Sequence, residues 1–257
     1  MATTYLEIVN EIMRELNEVA LTDLNFNNAI GVQQHIKDCV NRAYFDICNE
    51  EAQWPFLTSG DSASLEDPFY GNTLSTAVAG QRWYQLKTGS TSHTDGFASI
   101  DWDNFYITTK GVDGETAPFV SKNLRYLTTE DWKDFKRESE NADDADQAVG
   151  GEPKYVIRSP DGRRFGLSPI PNKTYRVYFT AWVQPTALVN HDDTVVFPDM
   201  FVPVLLARTR YYCWQFKDNP QAASFALEDY RKGLDYMRSN LIEPTPSYFK
   251  DDRVRFY

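Results

Sequence analysis

The sequence is short of the residues that carry catalysis and metal binding. Three histidines, His35, His93 and His191, are spread over 257 residues, and no two stand at the spacing of helical metal ligands. The three cysteines, Cys39, Cys48 and Cys213, form no CxxC pair and no cluster with histidine, which argues against a zinc site. An odd cysteine count with no signal peptide points to a reducing compartment. No GxSxG, P-loop or GxGxxG occurs. Carboxylates are plentiful, but abundance alone marks no catalytic pair. Long apolar runs are missing too, so no segment is expected to span a membrane. Basic charge is scarce: the net charge of −11 argues against a surface that grips nucleic acid. Nothing here calls for an enzyme, a metal or a cofactor.

What is present is a chain of ordinary apolar content, long enough for one large domain or two small ones, and rich in Tyr, Phe and Trp. Aromatics suit both interfaces and strands. Helical patterning opens and closes the sequence. Thr4-Tyr5-Leu6-Glu7 reads as a capping box. Leu6, Val9, Ile12, Met13 and Leu16 then recur at helical spacing. Polar residues from Thr22 to Asn28 break the pattern, and a second helix is expected from about Gly31 to Glu51. Its apolar stripe is Val32, Ile36, Cys39, Val40, Ala43, Tyr44 and Ile47. Trp54-Pro55-Phe56 ends it, because a residue before proline is pushed toward extended geometry.

From residue 57 onward, turn residues punctuate short aromatic runs. Trp83–Leu86 and Asn104–Thr108 read as strands. A short helix is expected after Leu127, with Thr129 as its N-cap and Trp132 and Phe135 on one face. Glu138, Glu140, Asp143, Asp144 and Asp146 follow with no basic residue among them. They lack the spacing of a calcium loop, so a solvated loop is expected. Lys154–Arg158 and Arg164–Leu167 flank Asp161-Gly162 as a hairpin, and Tyr175–Phe179 is expected as the third strand of an antiparallel meander. Tyr175, Val177 and Phe179 share one of its faces.

Helix resumes after Phe197-Pro198-Asp199, over Met200–Lys217, with Pro203 in its first turn. A break at Asp218-Asn219-Pro220 leads to the last helix, Gln221–Leu241, whose apolar positions read as Phe225, Leu227, Tyr230, Leu234, Met237 and Leu241. Short connections make each helix pair an antiparallel hairpin. The expected architecture is α+β. Residues 1–56 and 198–241 supply the two hairpins of a four-helix bundle, 57–197 an inserted antiparallel β-rich lobe, and 242–257 an extended tail. That tail carries Tyr248, Phe249, Arg253, Arg255, Phe256 and Tyr257, residue types favoured in interface anchors.

Four features in this order resemble the head-to-tail adaptor, or connector, proteins of tailed bacteriophages, among them the tail tubular protein A class and the neck or head-completion proteins. They are the opening helix pair closed by Trp54-Pro55-Phe56, and Gly151-Glu152-Pro153-Lys154-Tyr155 entering a strand. Leu167-Ser168-Pro169-Ile170-Pro171 before Tyr175–Phe179 is the third, and the helix pair led by Pro198 is the fourth. Residues 60–150 match that pattern least well and are expected to be a phage-specific elaboration. The resemblance implies a structural virion protein of the neck, assembled in the host cytoplasm. Twelve identical subunits would form a ring that seals the DNA-filled head and offers a platform to the next tail or neck component. The tail residues would contact the portal protein. DNA would pass through the channel without sequence-specific binding, past Glu, Asp and polar residues of the bundle. A tail-terminator-type ring protein is a neighbouring alternative. From a different class, Trp83, Trp102 and Tyr106 on the β lobe could stack on a carbohydrate.

Overall fold

In the computed structural model, Thr4 opens the first helix by reciprocal capping. Its hydroxyl accepts from the Glu7 amide at 3.3 Å, and the Glu7 carboxylate accepts from the Thr4 amide at 2.8 Å. The structure describes residues 3–51, 53–58, 73–77, 79–85, 87–88, 91–92, 97–110, 114, 116, 118, 120–139, 151–160 and 164–242. Among them the fold is mixed α+β. The helices are α1 (Tyr5–Glu15), α2 (Val32–Glu50), α3 (Thr129–Ser139), α4 (Val202–Phe216) and α5 (Pro220–Leu241). Two four-stranded sheets and a two-stranded ribbon supply the rest. Two compact units divide the chain: one takes the residues up to Phe56 with those from Pro185, the other takes Leu57–Gln184.

The first unit holds α1, α2, α4 and α5. Helix α4 is apolar nearly all round and packs against α5, α2 and α1. Tyr5, Ile8, Val9, Ile12 and Met13 form the buried face of α1, while Leu6 is half exposed. In α2 the stripe from Ile36 to Ile47 is buried as its spacing predicts. The buried face of α5 differs from expectation. It runs through Ala223, Ala226, Tyr230, Leu234 and Met237, and Phe225 is exposed. Phe225 lies five residues from Tyr230, about 140° around the helix, so it cannot share that face. Small residues let α5 approach closely instead: a Cβ on Gly233 would stand 2.9 Å from Val204 Cγ2.

Residues 185–197, expected in the β lobe, belong to this helical unit. Asn41 of α2 holds them. Its Oδ1 accepts from the Leu188 amide at 2.9 Å, and its Nδ2 donates to the Leu188 carbonyl at 2.8 Å. The Tyr5 and Leu6 amides, orphans of the first turn of α1, donate to the carbonyls of Asp193 and His191 at 2.7 and 3.1 Å.

In the second unit the strands are β1 (Thr73–Ala77), β2 (Trp83–Gln85), β3 (Lys87–Thr88), β4 (Thr91–Ser92), β5 (Phe97–Thr108), β6 (Ser121–Asn123), β7 (Arg125–Leu127), β8 (Tyr155–Arg158), β9 (Arg164–Ser168) and β10 (Tyr175–Val183). One sheet has the order β1-β10-β5-β6 and the other β2-β9-β8-β7. The core lies between them: Phe105, Ile107, Tyr175, Val177 and Phe179 from the first meet Tyr84, Val156, Phe165 and Leu167 from the second. Burial alternates along β10 as expected, with Arg176 and Tyr178 turned outward.

The three-strand meander is not formed. Strands β8 and β9 pair antiparallel, but β10 pairs with β1 and β5 in the other sheet. Pro169 and Pro171 have no amide to give to a ladder, and the chain leaves its sheet there. Strands β7 and β8 are parallel, with α3 in the crossover between them. Thr128 rather than Thr129 caps α3, because its hydroxyl accepts from the Asp131 amide three residues on, at 3.2 Å. Within α3, the side chain of Phe135 lies outside the described residues, as do Leu86, Asp161-Gly162 and the acidic residues after Ser139.

Candidate functional site

The sequence motifs become internal joints. Trp54 is fully buried, and its indole N–H donates to the Ile47 carbonyl at 2.8 Å, one of the free carbonyls near the end of α2. Its ring stacks on Phe56 at 5.4 Å, and Phe56 meets Phe197 edge-on at 5.8 Å. Pro55 opens a single 3-10 turn, Pro55–Leu57. Trp54, Pro55 and Phe56 thus fasten the end of the opening helix pair to the segment that leads into the closing one.

In the β unit, Gly151, Pro153, Tyr155, Pro169 and Pro171 converge. The Gly151 amide donates to the Ile170 carbonyl at 2.7 Å, and the Gly151 carbonyl accepts from Asn172 at 3.1 Å. Gly151 sits flush on Pro169: a Cβ there would stand 3.3 Å from the proline Cβ. Pro171 accepts from the Gly80 amide at 2.9 Å. Pro153 is buried and leads into β8, where Tyr155 pairs with Ser168. Two motifs far apart in sequence therefore form one joint.

The titratable groups form no common site among the described residues. The His35 ring stacks on Phe216 at 4.1 Å between centroids, with its Nε2 at 3.4 Å from Cys39 Sγ. His191 lies in the loop that caps α1, beside Asp192. His93 lies outside the described residues. The described cysteines are free and buried, and burial pushes the Cys48 thiol up to about 12. No cluster of three or more metal-ligating side chains occurs among the described residues, and no described helix is long and apolar enough to cross a membrane.

The proposed sugar platform is dispersed. Trp102 stacks on Phe105 at 5.3 Å and touches Tyr126 at 5.5 Å, so it is partly buried against the core. Trp83 covers Gly166 on the second sheet, while Tyr106 pairs with Tyr178 on the first. Their neighbours Tyr84 and Phe105 point into the core, so Trp83 and Tyr106 face away from each other on opposite sides of the sandwich.

Ion pairs lock the helices together. Arg210 of α4 holds Glu15 of α1 with two nitrogens. Arg208 of α4 reaches Asp46 of α2 at 2.8 Å, and the Tyr212 hydroxyl donates to the same carboxylate. Arg238 of α5 reaches Glu51 at 2.6 Å and Glu50 at 3.1 Å. The Arg208 guanidinium also lies 4.8 Å from the Tyr212 ring and 4.9 Å from the Tyr230 ring. Burial pushes the Tyr230 hydroxyl up to about 12.

A different set of apolar residues is exposed at one end of the helical unit. Val19, Leu24 and Ile30 in the α1–α2 connection are 78%, 92% and 80% exposed, and Phe216 and Phe225 at the α4–α5 turn are 57% and 59% exposed. The Lys217 ammonium binds the Leu16 carbonyl at 3.3 Å, which brings the two connections to one end of the helical unit. Val19, Leu24 and Ile30 escape a periodicity analysis, which scores buried stripes; their readable signal was isolated apolar residues within a polar connection. The tail residues Tyr248, Phe249, Arg253, Arg255, Phe256 and Tyr257 lie outside the described residues.

The described features define an α+β protein of two units whose sequence motifs build its own joints, with a group of exposed apolar residues at one helical end. The family model for SU10 adaptor protein matches residues 3–248, and the chain belongs to that family. This makes it a bacteriophage adaptor protein, a structural component of the virion, in agreement with the resemblance read from its ordered motifs. A search of curated proteins gave no match.

Proposed function

We propose that the chain is a head-to-tail adaptor that forms a ring, of twelve copies on the resemblance, between the portal and the tail. It seals the filled head and carries the next tail or neck component. The observation that supports this most is the family match over nearly the whole chain. In this reading α1, α2, α4 and α5 close as a four-helix bundle in the ring wall, and the β unit offers the outward or tail-facing platform. Tyr248, Phe249, Arg253, Arg255, Phe256 and Tyr257 anchor residues 242–257 in the portal. The protein performs no catalysis, and DNA passes its acidic wall without being gripped.

The test is the mass of the purified protein alone and after mixing with portal rings. A stoichiometric ring on the portal supports the reading, and a chain that ignores portals overturns it. Truncation after Leu241 separates the anchor from the fold. It should leave helical content intact, since the buried face of α5 reaches only to Met237, and should abolish docking. Docking by the truncated chain would remove the tail from the anchoring role.

A further inference from the structure

We infer that the apolar end of the helical unit in one copy docks on a cationic end of the β unit in the next copy, so that the ring contact joins unlike surfaces. The inference rests on the proposed ring and names the surfaces that close it.

Strand register gathers the cations. Arg176 pairs with Thr108, and Thr108 with Ser121, so the start of β10, the end of β5 and the start of β6 share one end of the first sheet. In the second sheet Arg125 pairs with Tyr155 and Tyr155 with Ser168. Lys122 of β6 ties these ends together, its Nζ 2.8 Å from Glu152, and β6 runs almost directly into β7, whose Arg125 amide donates to the Lys154 carbonyl at 2.9 Å. The bond from Asn172 to Gly151 places Lys173 beside them. Lys110, Lys122, Arg125, Lys154, Lys173 and Arg176 therefore stand at one end of the sandwich. Glu152 is the one carboxylate there among the described residues. Half-exposed Pro169 and Ile170 add apolar surface between the cations.

The helical end has the opposite character. Around Val19, Leu24, Ile30 and Phe216 stand the exposed carboxylates Asp23, Asp38 and Asp218, which make no salt bridge among the described residues. Three cations also lie near this end: Lys217 is 3.8 Å from Glu18, Arg14 stands in the last turn of α1, and buried Lys37 donates to the Phe26 carbonyl. An exposed apolar patch with an acidic rim fits a cationic, partly apolar surface, and every copy of the chain carries one. Unlike surfaces joined head to tail propagate around an axis, and close into a ring when the rotation per copy divides a full turn. Charge complementarity of this kind fixes register and speeds encounter.

The test uses full-length protein and two charge-reversed variants, K154E/K173E and D23K/D38K. Lys154 is exposed at the entry to β8, Lys173 and Asp23 lie in bends or turns, and Asp38 is on an exposed helix face; circular dichroism checks that both variants fold. Each variant alone should assemble into rings about tenfold or more weakly than the parent, because like charges then face each other. An equimolar mixture should recover, since alternating copies restore attraction at every contact. The chain carrying all four substitutions should recover as well. Parental assembly should weaken as salt rises.

Rings formed normally by each variant alone would overturn the contact and leave the ring itself standing. Variants that stay defective when mixed would overturn it too, since the loss would not then come from charge pairing. If K154E/K173E instead abolishes binding of duplex DNA and leaves rings intact, the cationic end serves nucleic acid and the inference fails. A parent protein that forms no ring under any condition would remove the proposed function on which the inference stands.

Discussion

Arg208 and Asp46 meet at 2.8 Å across α4 and α2, and the guanidinium lies among the rings of Tyr211, Tyr212 and Tyr230. The carboxylate serves two donors, since the Tyr212 hydroxyl binds it as well. Asp46→Ala therefore orphans a half-buried cation and a phenol together. Arg208→Met removes the charge but keeps an apolar stem against the rings. The expected cost is about 2–3 kcal/mol for Asp46→Ala and about 1 kcal/mol less for Arg208→Met, because the Asp46 carboxylate that the latter leaves is the more exposed partner and keeps the Tyr212 hydroxyl. Urea unfolding midpoints of the two variants check the order. If Arg208→Met proves the more damaging, packing of the arginine rather than its pairing holds the two helices.

The helices were legible because their apolar spacing agrees with their capping. Thr4 and Glu7 state where α1 begins, and Ile36 to Ile47 state which face of α2 is buried. The reading went wrong where residue type was taken for position. Phe225 was counted with the buried face of α5 because it is apolar, although Ala223 and Ala226 hold the inward positions. Strand β10 was legible as a strand, with its inward and outward residues correctly assigned. Its sheet was not, because register is local while the switch from β9 to β10 depends on contacts of Gly151 and Gly80 with the Pro169–Asn172 turn. The motifs from which the adaptor resemblance was read, Trp54-Pro55-Phe56 and the Gly151 and Pro169 segments, are internal joints of the fold. The proposed contact surfaces carry no such signature, since an exposed Leu24 looks like any loop residue in sequence.

Gly233 and Val204 fix how closely α5 approaches α4. A Cβ at residue 233 would lie 2.9 Å from Val204 Cγ2, and a β-branched side chain in a helix has little freedom to turn away. Gly233→Ala gains about 1 kcal/mol of helix propensity and loses about 1–3 kcal/mol to overpacking. The net expectation is a modest destabilisation. Adding Val204→Ala should make room for the new methyl, so that the pair couples in a double-mutant cycle by about 1 kcal/mol or more. Thermal melts of the parent, both single variants and the double variant give this coupling. Strict additivity would mean that the helices relax around residue 233 without meeting Val204.

Asp193 ties the loop that caps α1, and its charge gives that loop a pH dependence. One carboxylate oxygen accepts from the Val189 amide at 2.6 Å and the Asn190 amide at 2.7 Å. These backbone donors hold the carboxyl below its ordinary value, with the nearby His191 adding in the same direction. The sign follows from that lowering. In the unfolded chain the group takes up a proton in the usual aspartate range, while in the folded chain it stays ionised to lower pH. The contribution is therefore complete above the unfolded value and is lost as pH falls through the folded one. Asp193→Asn keeps an oxygen for both amides and removes the titration. Melting temperatures of the two proteins should differ most near neutral pH, with the parent the more stable, and should converge in acid. Hydrogen exchange at the Val189 and Asn190 amides reports the same event locally, because protection there should fall with pH in the parent but not in the variant. A gap in melting temperature that stays constant across the whole range would show that Asp193 acts through shape alone, since an uncharged acceptor would then have failed for reasons unrelated to ionisation.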